Sequence, residues 1–476
     1  MTTARFHGLL KTNFPYPATA QQDLALQLMA TFVTAREKDT LFLLKGYAGT
    51  GKTTLIGTLV KNLRSVNYGS VLLAPTGRAA KVISNYSEKQ AFTIHKKIYS
   101  PQSQPGGGVR FTLKENNHRN VIFIVDEASM VPDTASESKL FENGSLLGDL
   151  VQYVYTGQNC KLLLVGDTAQ LPPVKLDLSP ALNEGTLRDS YNKTVTAIEL
   201  DEVVRQQKDS GILYNATAIR AAIEKERYGG FKFMVQGFPD IIRPSDGTEV
   251  MNVLNDAYAN LGNEGTVFLV RSNKRANLYN KSIRQRILFQ EAQLAAGDYL
   301  MVVKNDYYWL DPYSEAGFIA NGDIVEVLEI SGFRALYGFH FAEARVRLVD
   351  YPKLAPFSTV LLLDTLTSQT PSLSYEDSNR LYQEVIKDYA AEKSKYKKMM
   401  KVKKNKFFNA LRVKFSYAIT CHKAQGGQWH TVFVEMPYTP KGIDKEVMRW
   451  LYTAVTRARE RLYLVGFKDG FFDHDL

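Results

Sequence analysis

Gly46-Tyr47-Ala48-Gly49-Thr50-Gly51-Lys52-Thr53-Thr54 is the stretch that decides the fold of this chain. It follows the apolar run Leu41 to Leu44, about the length of a buried strand, and opens a stretch of helical spacing, the context that a G-x-x-x-x-G-K-[ST] loop requires. Glycines at Gly46, Gly49 and Gly51 let backbone N–H groups surround phosphate oxygens, and the start of the following helix favours negative charge. Thr50 and Thr54 complete this cradle, Lys52 reaches the terminal phosphates, and Thr53 offers its hydroxyl to Mg2+. The loop predicts a nucleoside triphosphate site.

Further runs of strand length lie at Val71 to Ala74, Val121 to Val125 and Leu162 to Val165, each followed by a Gly, Pro or Asp turn. Alternation of such runs with helical stretches predicts an open parallel sheet, with ligands gathered at the carboxyl ends of its strands. A second set, Thr266 to Val270, Phe415 to Ile419, Thr431 to Glu435 and Leu462 to Val465, predicts a second α/β unit. Asp126 and Glu127 end the run Val121 to Val125, where Asp126 can hold the magnesium ion and Glu127 can polarise an attacking water. Hydrolysis is therefore expected, and not binding alone. Gln170, just past Leu162 to Val165, either senses the terminal phosphate or is an ordinary loop residue; its position leaves both open.

The length of 476 residues, 45% of them apolar and 23% charged, allows a sizeable core and roughly three domains, which excludes a disordered tail or a small disulfide scaffold. Cys160 and Cys421 read as small buried residues, and neither His95 nor His422 has a neighbour at metal-ligand spacing. No apolar stretch approaches the ~20 residues of a membrane helix, and Met1 to Tyr16 lacks a signal core, so a soluble, cytoplasmic protein with no membrane role is expected. The formal charge is +10, yet Lys393 to Lys406 alone holds eight lysines and no acid. That tract either contacts phosphates or is a solvated helix face.

Between Gly297 and Tyr351 short alternating segments and an Asn321-Gly322-Asp323 turn predict a small β-barrel inserted in the second unit. Leu381, Val385, Tyr389, Tyr396 and Met400 recur at helical spacing, predicting one long amphipathic helix from Asn379 to about Val402. Lys97-Ile98-Tyr99 and Val109-Arg110-Phe111 flank the Gly-rich turn Pro105 to Gly108 and predict a hairpin. Its aromatics Tyr99 and Phe111 are either exposed near the base or tip, or packed on the first unit.

In their order along the chain these motifs resemble the superfamily 1B DNA helicases of the RecD/Dda-like type. Thr19-Ala20-Gln21-Gln22 is similar to that family's upstream glutamine motif, which implies that Gln22 reads the adenine. The stretch from Leu73 to Ala80, with Pro75 and Thr76, and Thr93-Ile94-His95, with Thr93 and His95, resemble the segments that touch single-stranded DNA. Leu200 to Gln206 resembles the motif whose arginine, here Arg205, approaches the γ-phosphate. Thr420-Cys421-His422-Lys423-Ala424-Gln425-Gly426 implies strand contacts at Thr420, His422 and Lys423 and nucleotide contacts at Gln425 and Gly426. Tyr452-Thr453-Ala454-Val455-Thr456-Arg457-Ala458-Arg459 supplies Arg457 as a second arginine finger.

The resemblance implies an ATP- and Mg2+-dependent enzyme with Lys52, Glu127, Gln170, Arg205 and Arg457 as its catalytic set. It implies 5′ to 3′ movement on single-stranded DNA, unwinding of forked or tailed duplex, and Tyr99 or Phe111 separating the strands. A functional monomer of bacterial or phage-like origin, with unknown protein partners, is the corresponding expectation. A non-unwinding ATP-driven clamp and an ATPase that remodels protein–DNA complexes are the alternatives. The implied fold is α/β. A RecA-like domain spans 1–184 with a pin at 93–118, a second spans 185–295 and 412–476, and an SH3-like barrel with a lysine-rich helical extension spans 296–411. Gly427-Gln428-Trp429 departs from the family pattern of a small residue and then Glu or Thr, which implies relaxed ribose and base selectivity. Only 45 residues precede the phosphate loop, as in the compact members of the family.

Overall fold

Leu41, Phe42, Leu43 and Leu44 are all fully buried, as a strand covered on both faces requires. Alternate residues enter opposite apolar layers, Leu41 and Leu43 in one and Phe42 and Leu44 in the other. The computed structural model describes residues 1–473 apart from 104–108, 134–144, 174–175, 203–209 and 441. Within these, Thr40–Gly46 pairs in parallel with Lys161–Gly166 on one side and Thr194–Leu200 on the other. The six-stranded parallel sheet runs Ala91–Thr93, Gly69–Ala74, Val121–Val125, Lys161–Gly166, Thr40–Gly46, Thr194–Leu200. This order sets the carboxyl ends of three central strands side by side, which brings the phosphate loop, Asp126-Glu127 and Asp167 to one edge.

A second parallel sheet has the order Ala418–Thr420, Thr266–Val270, Trp429–Glu435, Ala458–Val465, Ile241–Ile242. Between its adjacent strands Thr266–Val270 and Ala418–Thr420 the chain makes a closed barrel of Tyr299–Val302, Ile324–Leu336, Phe339–Leu348, Phe357–Leu362 and Leu411–Phe415. The fold is thus two RecA-like parallel sheets with an SH3-like barrel inserted in the second.

Four expectations change. Phe415 to Ile419 is not one strand: Phe415 ends the barrel and Ala418 begins the sheet, because Tyr417 turns inward at the joint. Its hydroxyl donates to Asp298 (2.9 Å) and accepts from the Tyr299 N–H (3.1 Å), while Arg284 grips the same carboxylate with two bonds of 2.8 Å. The barrel also extends past residue 411, since Leu411–Phe415 pairs with Tyr299–Val302. The tight hairpin turn lies at Tyr337-Gly338, both with positive φ (58° and 74°), whereas Asn321-Gly322 only leads into Ile324–Leu336. Such a two-residue turn twists with its strands, and glycine at its second position relieves the strain. The long helix is two, Tyr375–Lys387 and Lys395–Lys403. Ser394 breaks it: its hydroxyl accepts from the Lys397 N–H (3.4 Å) while Glu392 accepts from the Ser394 N–H (3.3 Å), so both side chains compete with helical bonding.

The hairpin forms with Tyr99 opposite Leu113 and Pro101 opposite Phe111; its turn, Pro105 to Gly108, lies outside the described residues. Exposed aromatics on it are not found. Tyr99 and Phe111 are 5% and 7% exposed, Tyr99 donating its hydroxyl to Asp149 at 2.6 Å. Phe111 packs 4.6 Å from Tyr307 and 6.2 Å from Phe318, ring to ring, both from the barrel unit. Rings of this size hide their apolar area wherever a partner surface is available, here from two units at once.

Candidate active site

The phosphate loop and the helix Lys52–Asn62 form one wall of a cleft of about 460 Å³. Gly49, Gly51, Lys52, Thr53 and Thr54 line it, with Gly49 and Gly51 at φ 78° and 87°, where a side chain would be strained. Gly46 stands behind the loop: a Cβ there would lie 3.0 Å from Leu200 and from the Thr50 hydroxyl. Thr50 is buried and donates to the Tyr47 carbonyl at 2.8 Å, fastening the turn from within. Lys52 Nζ donates to the carbonyls of Gly46 (2.6 Å) and Tyr47 (2.8 Å).

Asp126, Glu127, Asp167 and Gln170 line the same cleft. Burial, reinforced by the Glu127 charge, pushes the Asp126 carboxyl up to about 6. Asp167 is also raised by burial, against the pull of Lys52 and of a Tyr452 hydroxyl bond. Gln170 is 7% exposed, and its Oε1 is buried without a hydrogen-bond partner. An orphaned acceptor in a polar cleft costs roughly 1–3 kcal/mol, a sign that it is kept for an incoming donor. Among the described residues no three His, Cys, Asp or Glu side chains could hold a metal by themselves. Thr53 and Asp126 together with phosphate oxygens fit Mg2+, which takes few protein ligands and completes its shell from substrate.

The opposite wall comes from the second sheet unit, through the helix Lys445–Val455 and the residues after it. Arg457 is 3% exposed and lies 3.8 Å from Glu127, held by bonds to the carbonyls of Thr453 (3.0 Å) and Gly427 (3.2 Å). Tyr452, also buried, donates to Asp167 at 2.7 Å and accepts from the Ala48 N–H of the phosphate loop at 2.9 Å. Thr453 accepts from the Leu171 N–H at 2.9 Å. Two units thus close on one cleft through directional bonds.

Three expected nucleotide residues sit differently. Gln22 lines the cleft, but its amide is committed: Oε1 accepts from the Thr19 N–H (3.1 Å) and Nε2 donates to the Thr50 carbonyl (3.0 Å). The pair forms a capping box on the helix Ala20–Thr34, so the amide that lines the cleft also fastens the loop. Gln425 donates to the Leu171 carbonyl (2.6 Å), and Gly426 lies against Ala79 and Thr76, so neither lines the cleft. Arg205 lies outside the described residues.

The expected strand residues fall at three helix starts. Thr76 and Thr93 cap helices, accepting from the N–H groups of Ala79 and Lys96 at 3.2 Å each, with Pro75 half-buried beside Thr76. His95 packs 5.7 Å from the Tyr99 ring, and burial depresses it to about 4. Thr420 precedes the short helix Cys421–Ala424, on which His422 is exposed and Lys423 donates to Asn321 of the barrel at 2.5 Å. Thr76 and Gly426 meet across the two sheet units, so part of this set is drawn together.

Residues 21–230 match an AAA domain model and residues 415–465 a UvrD-like helicase C-terminal domain model, on the phosphate-loop side and the Arg457 side of the cleft respectively. The ATP-dependent DNA helicase dda of Enterobacteria phage T4 is 26% identical over 472 residues, covering 90% of this chain and 95% of that protein. The ATP-dependent RecD2 DNA helicase of Deinococcus radiodurans is 25% identical over 443 residues, which cover 90% of this chain. The chain spans 47% of the length of that relative. Both relatives are DNA helicases, and the chain is similar to them over nine-tenths of its length. A solved structure of Pif1 helicases at forked double-stranded DNA is 15% identical, with a TM-score of 0.47, covering 96% of this chain and 94% of that one.

Sequence reading gave no part to Tyr452 and Thr453, although Tyr452 with Thr456, and Thr453 with Arg457, stand four apart at the end of the helix Lys445–Val455. It gave no part to Arg459, which lines the cleft rim and donates to Gln428, the residue singled out as a departure, at 3.0 Å. The Gly427-Gln428-Trp429 departure has a packing cause. Arg78 of the first unit lies 4.2 Å above the Trp429 ring, and a Cβ on Gly427 would strike that ring at 2.6 Å.

Proposed function

We propose that this protein is a superfamily 1B helicase, an ATP-dependent enzyme that moves 5′ to 3′ on single-stranded DNA and opens forked or tailed duplex. The observation that carries the proposal is Arg457, delivered by the second unit to within 3.8 Å of Glu127 in the phosphate-loop cleft. A planar guanidinium there stabilises the spread charge of the transferring phosphoryl group only while the units are closed, so hydrolysis and relative motion are coupled. Lys52 and the loop amides hold the phosphates, Thr53 and Asp126 hold Mg2+, Glu127 takes the proton of the attacking water, and Gln170 orients that water through its free oxygen. The bound ion neutralises phosphate charge. Arg205 is assigned as the other arginine of the set by resemblance. Strand contacts are assigned to Pro75, Thr76, Thr93, His95, Thr420, His422 and Lys423.

The relatives named DNA helicases, dda over nearly its whole length, support this reading. We divide the chain into two RecA-like domains and an inserted barrel unit near the expected boundaries, the barrel reaching residue 415. Among the described residues no helix is long and apolar enough to cross a membrane, and we assign action on DNA inside the cell, as a monomer, as part of the proposal. Strand-stimulated ATP turnover together with unwinding of forks bearing a 5′ or a 3′ tail tests the proposal. Unwinding that needs the 5′ tail is expected; stimulation without unwinding would indicate a clamp, and no stimulation would refute the strand groove.

A further inference from the structure

We infer that the lysine helix Lys395–Lys403 and its flanks grip the phosphates of the duplex ahead of the hairpin, a surface separate from the single-strand residues; the inference rests on the helicase reading. Eight lysines and no acid occupy Lys393 to Lys406. Lys401 pairs with Glu392 (3.1 Å) and Lys406 pairs with Glu343. Lys393, Lys395, Lys397, Lys398 and Lys404 form no ion pair among the described residues. Like charges three and four apart on a helix repel, and the sequence places no carboxylate among them, so this repulsion is left for an external polyanion to relieve.

Location selects the polyanion. Val402 is the buried residue of the lysine helix, and it joins Leu381, Val385, Phe339 and Phe341 in an apolar cluster on the barrel's outer side. The expected single-strand residue Lys423 instead meets the barrel at Asn321, in a different turn. Three consecutive residues tie the lysine segment to the hairpin. The Tyr307 ring lies 4.6 Å from Phe111 at the hairpin base, the Tyr308 hydroxyl donates to the Lys404 carbonyl (3.0 Å), and Trp309 Nε1 donates to the Asn409 carbonyl (2.7 Å). Adding the reach of two tyrosines to these contacts puts Lys404 within roughly 25 Å of Phe111, about seven base-pair steps of duplex. A duplex that leaves the hairpin on the barrel side would therefore pass within reach of the lysine face.

The test replaces Lys393, Lys395, Lys397, Lys398 and Lys404 together by Gln in the full chain, with the five Lys→Arg changes as the charge-preserving control. Binding of a 20-nucleotide single strand and of a fork with a 20-base-pair duplex arm is followed by fluorescence anisotropy between 50 and 200 mM salt. Each duplex phosphate contact contributes ~0.9 to the log–log salt slope. The Gln variant is expected to lose two or more units of slope on the fork and none on the single strand, while the Arg variant keeps both slopes. An unchanged fork slope would make the tract a solvated face, and an equal loss on both substrates would assign it to the single strand; either overturns the inference. Strand-stimulated ATP turnover of the unaltered protein, measured alongside, shows separately whether the helicase reading itself has failed.

Discussion

Replacing Tyr452 by Phe removes one oxygen atom and leaves a buried ring of nearly the same shape in place, so it isolates the bonds that hold the two units around the cleft. That oxygen donates to Asp167 at 2.7 Å and accepts from the Ala48 N–H at 2.9 Å. A bond to a carboxylate contributes about 1.5–3 kcal/mol, and a buried N–H left without an acceptor costs about 1–3 kcal/mol. Asp167 keeps its bond from the Ala169 N–H at 2.9 Å, and water can enter a cleft of this size, so the net loss should fall near 2 kcal/mol. Because Tyr452 comes from the second unit and both partners from the first, the loss weakens closure and not the packing of either unit. At 1.36 kcal/mol per tenfold, strand-stimulated kcat/KM should fall about 30-fold, with thermal unfolding shifted little. A double-mutant cycle with Asp167→Asn should show coupling above about 1 kcal/mol. A Tyr452→Phe protein within threefold of wild type in kcat/KM would refute the reasoning.

Glu127→Gln should lower ATP turnover by ~100-fold or more while nucleotide binding, followed by a fluorescent ATP analogue, is retained; near-normal turnover would remove Glu127 from the role of base. Tyr99→Phe should destabilise the first unit by about 1.5–3 kcal/mol in chemical unfolding, since it leaves Asp149 short of a charge-assisted bond. Phe111→Ala should cost about 3–5 kcal/mol by the same measure, because its ring is buried between the hairpin and Tyr307. The depressed His95 sets a pH dependence: the unfolded chain takes up this proton near 6.5 and the folded one near 4, so stability is full above pH 6.5 and is lost as pH falls towards 4. The loss is at most about 3 kcal/mol, less for solvent screening of a partly exposed ring, and His95→Gln should flatten it in denaturant titrations at pH 7 and 5.

The parallel sheets and the phosphate loop were legible because each is written locally: strand-length apolar runs, and glycines at the positions that need positive φ. Asp126 and Glu127 lie in the cleft at the strand end where the sequence put them, whereas the position of Gln170 left its part open. Other features depend on partners far along the chain. The Tyr452 hydroxyl was invisible because its acceptor, Asp167, lies in another unit, and the hidden faces of Tyr99 and Phe111 because Asp149 and Tyr307 cover them. A further signal was available and unread: Thr19-Ala20-Gln21-Gln22 has the spacing of a capping box, which by itself predicts that the Gln22 amide turns back on Thr19. The break at Ser394 was legible in principle too, as a serine at a cap spacing inside an otherwise helical pattern.

The barrel leaves from one strand of the second sheet and returns in the strand beside it, with Phe268 aligned to Ala418. If this excursion of roughly 150 residues were unstructured, bringing those strands together would carry a chain-closure cost of about 4 kcal/mol. A folded barrel removes most of it, because Leu300 already sits opposite Phe415 and Tyr417 is tied to Asp298, so the two exits emerge side by side. A barrel that forms first therefore acts as a template for the sheet around it, and until Ala418–Thr420 pairs with it the strand Thr266–Val270 has a bare edge.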